Sequence, residues 1–205
     1  MINEHRRVRL ERCLAGHGVS LDQLTAKANC VVLFGSRAAA AHNSGSDWDI
    51  LCVGGGPRIK SEQLDLIWVS ASRSETNEWL GSELAQHVAA FGVPISGPTQ
   101  WISQVRPSDD AIAKKTRRIR NRLLLLQRAW AGLTPGFREK HRSLLLNDVY
   151  RLAYLQRRDA VPPTPLLRRP SGGAVRVLEG SSFQPAHREA LADVVRSDYT
   201  NSRKM

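Results

Sequence analysis

The sequence has no long hydrophobic run, and this shortage excludes whole classes of protein. No apolar stretch approaches the roughly 20 residues that a bilayer-spanning helix requires. The charged start of the chain, Met1–Arg7, also lacks the apolar segment of a signal peptide. We therefore expect a cytoplasmic protein that makes no contact with a membrane.

Cysteine is also scarce. Cys13, Cys30 and Cys52 are odd in number and do not have the spacing of metal ligands. Cys30 and Cys52 lie in apolar segments, where a free thiol behaves as a small hydrophobic side chain. These features favour a reducing compartment and argue against a redox or zinc function.

Acidic residues are scarce in the second half of the chain. Residues 1–105 carry 9 Lys and Arg against 10 Asp and Glu, whereas residues 106–205 carry 21 against 9. The C-terminal half therefore holds the whole of the +11 net charge. Such asymmetry points to a polyanionic partner such as RNA, or to attraction for a nucleoside triphosphate. The alternative is a solvated, arginine-rich helical face whose long side chains cover apolar surface.

Two short motifs carry most of the chemical information. The first is Gly35-Ser36, which follows an apolar stretch, Cys30–Phe34, and precedes an alanine-rich stretch, residues 37–41. The first stretch predicts a buried strand and the second a helix, so the Gly-Ser pair is expected at a helix N-terminus. A turn of this kind presents backbone N–H groups and a hydroxyl to a phosphate.

The second motif is Asp47-Trp48-Asp49, at the start of a predicted strand over residues 48–53. Side chains alternate along a strand, so Asp47 and Asp49 face the same side and Trp48 the other. Two converging carboxylates beside a phosphate-binding turn suit a hard divalent cation such as Mg²⁺. The same residue pairs are common in ordinary loops, and their order between two strands makes the functional interpretation the stronger one.

The other hydrophobic patterns predict a small sheet flanked by helices and followed by a helical hairpin. We expect short helices over residues 10–14 and 21–28, a strand over 64–70, a helix over 75–90 and an edge strand over 93–96. A long amphipathic helix over 112–130, capped by residues 108–110, is followed by a turn at 133–136 and a second helix ending near Arg158. The first helix of this hairpin carries Lys114, Lys115, Arg117, Arg118, Arg120 and Arg122.

The two motifs together, Leu33-Phe34-Gly35-Ser36-Arg37-Ala38 and Ser46-Asp47-Trp48-Asp49-Ile50-Leu51, resemble the minimal nucleotidyltransferases of the DNA polymerase β-like superfamily. The resemblance covers about residues 29–70. It implies an α/β (α+β) fold with a small mixed sheet and flanking helices. It also implies an enzyme that transfers a nucleoside monophosphate from a nucleoside triphosphate (NTP) to a hydroxyl and releases pyrophosphate.

The resemblance also assigns roles to individual residues. A third carboxylate is implied on the next strand, where Leu64-Asp65-Leu66-Ile67 has the matching pattern. Asp47, Asp49 and Asp65 would hold two Mg²⁺ ions, and Asp65 would also accept the proton of the attacking hydroxyl. Gly35, Ser36 and Arg37 would bind the triphosphate. The chain departs from the frequent pattern Gly-Ser-Arg-Ala-Arg-Gly by carrying Ala39 and Ala40 at the last two positions.

On this interpretation residues 1–105 form the nucleotidyltransferase core with its N-terminal helices, 106–160 the basic hairpin, and 161–205 a mobile tail with a short helix near 185–195. The acceptor is left open between RNA, such as a tRNA end, and a partner protein. The enzyme would then be a growth-inhibiting toxin or an antitoxin that adenylylates a partner toxin. The alternative of another class is a catalytically silent module that binds nucleic acid or regulates a partner. The sequence indicates neither the preferred NTP nor the oligomeric state.

Overall fold

The computed structural model describes residues 2–129 and 132–167, which divide into two units. In the described part, the first unit comprises residues 2–107 together with Pro162–Leu166, and the second comprises Ser108–Val161 with Leu167. No helix in the described ranges combines the length and the apolar character needed to cross a membrane.

A five-stranded mixed sheet forms the centre of the first unit. Its strands are β1 (Ala28–Phe34), β2 (Trp48–Gly54), β3 (Ile59–Lys60), β4 (Leu64–Val69) and β5 (Val93–Ser96). The spatial order is β3-β4-β2-β1-β5; the neighbours β2 and β4 are parallel, and the other three neighbouring pairs of this sheet are antiparallel. The expected mixed sheet is therefore confirmed, with the short proline-containing β5 at one edge, where a missing N–H is tolerated.

Two helices precede the sheet and cover one of its faces. They are α1 (Glu4–Ala15) and α2 (Leu21–Lys27). A capping box starts α2: the Ser20 hydroxyl accepts the N–H of Gln23, and the Gln23 side chain accepts the N–H of Ser20. Leucines of both helices pack with alternate residues of β1 and β2: Leu10, Leu14, Leu21 and Leu24 against Val31, Leu33, Ile50 and Cys52.

The other face is covered by short helices, and here the sequence-based expectation is wrong. The chain first forms two four-residue helices, α3 (Gly35–Ala38) and α4 (Ala71–Ser74). In place of one helix over residues 75–90 it then forms α5 (Asn77–Leu80) and α6 (Glu83–Phe91). Ser70, Thr76 and Ser82 each accept a backbone N–H three residues ahead. Thr76 and Ser82 therefore each start a new helix inside the apolar pattern, and Ser70 starts one just before it. The core on this face is formed by Cys30, Val32, Phe34, Leu51, Val53, Val69, Trp79, Leu80, Ala85, Val88 and Trp101.

The second unit contains the predicted helical hairpin, formed by α7 (Asp109–Ala129) and α8 (Pro135–Gln156). The Ser108 hydroxyl accepts the N–H of Ala111 at 3.1 Å, so the predicted capping by this segment is confirmed. The predicted turn at 133–136 ends earlier, because Thr134 caps α8 and Pro135 is its first residue. Proline suits that position since its missing N–H would have no partner there. The core of the hairpin comprises Ile119, Leu123, Leu126, Leu145, Val149 and Leu152.

The first residues of the expected mobile tail are packed. Val161 is fully buried with Ala111 and Leu155, and Pro162 and Pro163 are buried as well. Apolar and proline residues can be buried here because their side chains need no hydrogen-bond partner. A 3₁₀ turn follows at Thr164–Leu166. The expectation of a mobile tail with a short helix near 185–195 otherwise concerns residues outside the described ranges.

Candidate functional site

The register of the sheet brings the three predicted carboxylates to one end of it. Asp49 of β2 lies directly beside Asp65 of β4 in the parallel pair, and beside Phe34 of β1 on its other side. Asp47 precedes Asp49 by two residues and therefore shares its face. Trp48 is buried against the opposite face, as the alternation predicts. All three carboxylates thus lie where β1 ends and β2 and β4 begin.

Two basic side chains from the edge of the sheet reach this carboxylate cluster (Asp47, Asp49 and Asp65). Lys60 is the register partner of Asp65 across the β3–β4 pair. Its Nζ donates to Oδ2 of Asp65 at 2.8 Å and to Oδ2 of Asp47 at 3.4 Å. A guanidinium nitrogen of Arg58 lies 3.3 Å from Oδ1 and 3.5 Å from Oδ2 of Asp65. The ammonium group of Lys60 therefore bridges two of the three carboxylates.

The protonation of Lys60 reflects this position. Burial lowers the pKa of its ammonium, but the hydrogen bond to Asp65 and the negative charges of Asp65 and Asp47 outweigh burial. The net result is a pKa raised above the usual 10.5. Lys60 is consequently a full positive charge at neutral pH, held against the acidic cluster.

Gly35 determines how closely the Gly-Ser motif approaches the cluster. It has φ +73°, in the left-handed region that favours glycine. A Cβ atom at this position would lie 2.0 Å from Oδ2 and 2.8 Å from Cγ of Asp49. The Asp49 carboxylate thus packs directly against the Gly35 backbone. Ser36 follows as a buried residue of α3, so the Gly-Ser pair and the second motif meet as the resemblance implies.

The side chain of Arg37 is hydrogen-bonded to the loop that carries Asp47. Its side chain is buried, and its Nε donates to the carbonyls of Ser46 and Asp47, both at 3.1 Å. A terminal nitrogen donates to the Ser46 carbonyl at 2.5 Å, and the guanidinium lies 4.6 Å from the ring centroid of Trp48. Burial and the charge of Arg9 lower the pKa of Arg37. This geometry favours a positioning role for Arg37 over the phosphate contact that the resemblance implies.

The departure from the family pattern at Ala40 has a backbone consequence. Ala40 has φ +55°, one of two non-glycine residues with positive φ among the described residues. The frequent family pattern has glycine at this place, and glycine adopts this conformation without steric cost. The chain therefore keeps the backbone turn after α3 while carrying a residue that strains it.

The donor chemistry of the cluster fits a divalent cation, although its present arrangement does not form a closed ligand set. Within residues 2–129 and 132–167 no three His, Cys, Asp or Glu side chains are grouped so that they could hold a metal ion. The Lys60 ammonium group lies between the Asp47 and Asp65 carboxylates and donates to both. Hard carboxylate oxygens on adjacent strands are the ligands that Mg²⁺ prefers.

Sequence reasoning missed Lys60 and Arg58. Their signal is present: the two cations are spaced i, i+2, and a short polar turn separates them from the strand of Asp65. Two basic residues with strand periodicity before such a turn indicate a hairpin whose one face meets the following strand. Only the observed register shows that Lys60 falls opposite Asp65.

The second unit has fewer basic side chains available to a partner than its composition indicates. Asp148 of α8 is 4% exposed and accepts hydrogen bonds from Lys115 at 3.1 Å and from Arg122. A third cation, Arg118, lies 3.3 Å from the same carboxylate. Three of the six basic residues that the first helix of the hairpin carries therefore belong to an internal ionic network.

A groove of about 570 Å³ lies along the same hairpin. Its apolar lining includes Leu125 and Phe137, which are 67% and 47% exposed. The Phe137 ring contacts the His141 ring in a tilted arrangement, with centroids 4.3 Å apart and an interplanar angle of 39°. Arg117, Arg118 and Lys114 contribute positive charge to the same lining. The hairpin thus combines apolar, aromatic and cationic surface in one concavity.

Comparison with known proteins identifies no family for the chain. No family model and no curated protein matches it. A solved structure described as "Crystal structure of the toxin-antitoxin with AMP-PNP" aligns with 63% of this chain and 99% of its own, with 17% sequence identity and a TM-score of 0.28. A similarity this weak carries no argument about the function of this chain.

Proposed function

We propose that the chain is a Mg²⁺-dependent nucleotidyltransferase that transfers a nucleoside monophosphate from an NTP to an acceptor hydroxyl. The observation that carries the proposal is the convergence of Asp47, Asp49 and Asp65 at one end of the sheet, with Asp49 directly against Gly35. Three carboxylates gathered beside a close backbone approach suit the binding of a metal–triphosphate complex. A purely structural cluster of acids would be costly, because like charges at this spacing repel each other.

The reaction needs one bond to form and one to break. The acceptor hydroxyl oxygen bonds to the α-phosphorus, the bond from that phosphorus to the bridging oxygen of the β-phosphate breaks, and pyrophosphate leaves. The hydroxyl proton passes to a carboxylate oxygen of Asp65. Asp65 lies beside Asp49 because β4 pairs with β2 in this register. Gly35 allows the triphosphate to approach the backbone, and Ser36 offers its N–H and hydroxyl. Arg37 positions Asp47 through the loop carbonyls.

Asp47, Asp49 and Asp65 are the residues that would hold the metal. When bound, Mg²⁺ neutralises the charge that develops on the transferred phosphate and on pyrophosphate. The protein's contribution is the alignment of the three carboxylates by the β2–β4 register and by the buried Arg37.

The proposed acceptor is RNA, because the second unit is strongly basic. Residues 108–161 carry 13 Lys and Arg against 5 Asp and Glu. The ionic network of Asp148 uses three of these cations, whereas the exposed Arg117 lines the same groove as Phe137 and His141. Exposed cations with aromatic rings favour single-stranded nucleic acid. A protein acceptor, as in an antitoxin that modifies a toxin, is the competing outcome.

The test is transfer of label from each of the four NTPs, labelled at the α-phosphate, in the presence of Mg²⁺ with total RNA or with cell lysate. We expect labelled RNA from the wild type and a loss of about a hundredfold or more in Asp47→Asn, Asp49→Asn and Asp65→Asn, since the metal supplies several kcal/mol of transition-state stabilisation. Asp22→Asn, an exposed acid in the first turn of α2, is the matched control and should retain full activity.

The outcomes separate the candidate functions. Label in protein in place of RNA assigns a protein acceptor. RNA binding that weakens steeply with salt, without any label transfer, would support the catalytically silent module. Equal labelling by the wild type and the three aspartate variants would show that the carboxylate cluster does not perform the transfer.

A further inference from the structure

We propose that Lys60 is an internal counter-ion that competes with the divalent cation for Asp47 and Asp65, an inference that rests on the proposed function. Lys60 is the residue whose charged atom lies between the two carboxylates, 2.8 Å from one and 3.4 Å from the other. The metal ligands and the lysine ligands are therefore the same oxygens. Metal binding requires the ammonium group to leave.

The charge balance explains why such a counter-ion is needed. Asp47, Asp49 and Asp65 place three negative charges at adjacent positions, and Asp65 is only 12% exposed in its side chain. Without a cation these carboxylates would repel one another in a partly buried setting. Lys60 supplies such a cation, because its ammonium group contacts both Asp47 and Asp65.

Lys60 is also able to withdraw without disturbing the sheet. Its side chain is 54% exposed, and its ammonium is carried on a flexible four-carbon stem. Its backbone is anchored, because the hydroxyl of the adjacent Ser61 accepts the N–H groups of Gln63 and Leu64 and is hydrogen-bonded to Nε2 of His17 at 2.9 Å. The head group can therefore move into solvent while β3 stays in place.

Arg58, at the same edge of the sheet, makes a weaker contact with the carboxylates than Lys60 does. Its guanidinium contacts only Asp65, at 3.3 and 3.5 Å, and its side chain is 62% exposed. A longer and more exposed contact with one carboxylate competes less than a short contact shared by two. The proposal thus orders the two cations, with Lys60 the dominant competitor.

The experiment measures Mn²⁺ binding to the full chain without nucleotide, by electron paramagnetic resonance of free Mn²⁺ and by calorimetry. We expect Lys60→Gln to bind Mn²⁺ about tenfold more tightly than the wild type, the scale of one charge-assisted hydrogen bond. Arg58→Gln should tighten binding less. Lys60→Arg keeps the charge and should stay close to the wild type. Lys27→Gln, an exposed lysine at the end of α2, is the matched control and should change nothing.

A second readout is independent of affinity. In metal-free buffer Lys60→Gln should have a lower Tm than the wild type, because the carboxylates lose their counter-ion, and Mn²⁺ should raise its Tm by more than it raises that of the wild type. Mn²⁺ affinity in Lys60→Gln equal to or weaker than that of the wild type overturns the proposal. If the wild type nonetheless binds Mn²⁺ and labels an acceptor, the proposed function stands. Absence of Mn²⁺ binding in every variant would contradict both.

Discussion

The two units differ in the ratio of acidic to basic side chains in their charged clusters. In the first unit Asp47, Asp49 and Asp65 are gathered at one end of the sheet, and Lys60 and Arg58 pair with two of these carboxylates. In the second unit a single carboxylate, Asp148, accepts three cations. The surplus is negative and partly exposed in the first case, but positive around a buried acid in the second. The first arrangement is suited to bind an external cation, whereas the second satisfies its own central charge.

This difference changes the meaning of the charge asymmetry in the sequence. The basic excess of the C-terminal half suggests a surface for a polyanion, but part of it serves to hold α7 against α8 through Asp148. Lys115, one of these cations, is 5% exposed and takes no part in the surface. Net charge alone therefore overstates the cationic surface available to a partner.

Removal of the buried acid Asp148 should have the largest effect on this difference between the two units. Asp148→Ala removes the acid that pairs with the buried Lys115 and with Arg122, which should destabilise the hairpin by about 3–5 kcal/mol. Native-state hydrogen exchange of the α7 and α8 amides measures this local free energy of opening. Amides of β1 and β2 serve as an internal reference in the first unit.

The control for this change is another acid of the same hairpin. Asp110 pairs with Lys114 at i, i+4, and both side chains are more than half exposed. Asp110→Ala should therefore cost within about 1 kcal/mol, from a weak ion pair and the loss of an acid in the first helical turn. Equal effects of the two substitutions would show that Asp148 is no more important than a surface ion pair.

The next largest effect concerns the cluster in the first unit. Gly35→Ala forces a Cβ to within 2.0 Å of the Asp49 carboxylate and imposes a left-handed backbone on alanine. We expect a loss of about 2 kcal/mol or more, of which strain alone contributes about 1–2 kcal/mol. Urea unfolding followed by tryptophan fluorescence measures it. Gly55→Ala, where a Cβ meets nothing within 4 Å, should be much closer to neutral.

The fold class and the facing of Asp47 and Asp49 could be predicted because both depend on local pattern. An uninterrupted apolar run marks β1, and strict alternation places Trp48 on the opposite side from the two aspartates. The place of Asp65 beside Asp49 followed from resemblance, since strand register depends on pairing between distant residues. Lys60 could not be predicted for the same reason, because its contact with the carboxylates depends on the register that pairs it with Asp65.

Local signals were also overlooked where two patterns compete. The apolar periodicity over residues 75–90 favours one helix, but Thr76 and Ser82 accept backbone N–H groups and divide the segment. Asp148 was a single acid in a basic region, and sequence alone gives no means of seeing that α7 and α8 bring it against Lys115 and Arg122. Tertiary contacts decide both the burial of a charge and its partners.

The smallest expected effect tests whether the departure from the family pattern matters. Ala40 is exposed at φ +55°, so Ala40→Gly removes a left-handed strain of about 1–2 kcal/mol and incurs about 0.5–1 kcal/mol of backbone entropy. We expect a net gain of about 0.5–1 kcal/mol in the free energy of unfolding, seen as a higher urea midpoint with an unchanged slope. Ala39→Gly, at φ −78°, relieves no strain and should be destabilising by about the entropy term. If Ala40→Gly raises the free energy of unfolding and Ala39→Gly lowers it, the turn after α3 has a backbone conformation that favours glycine at residue 40. The alanine at that position then lowers the stability of the first unit.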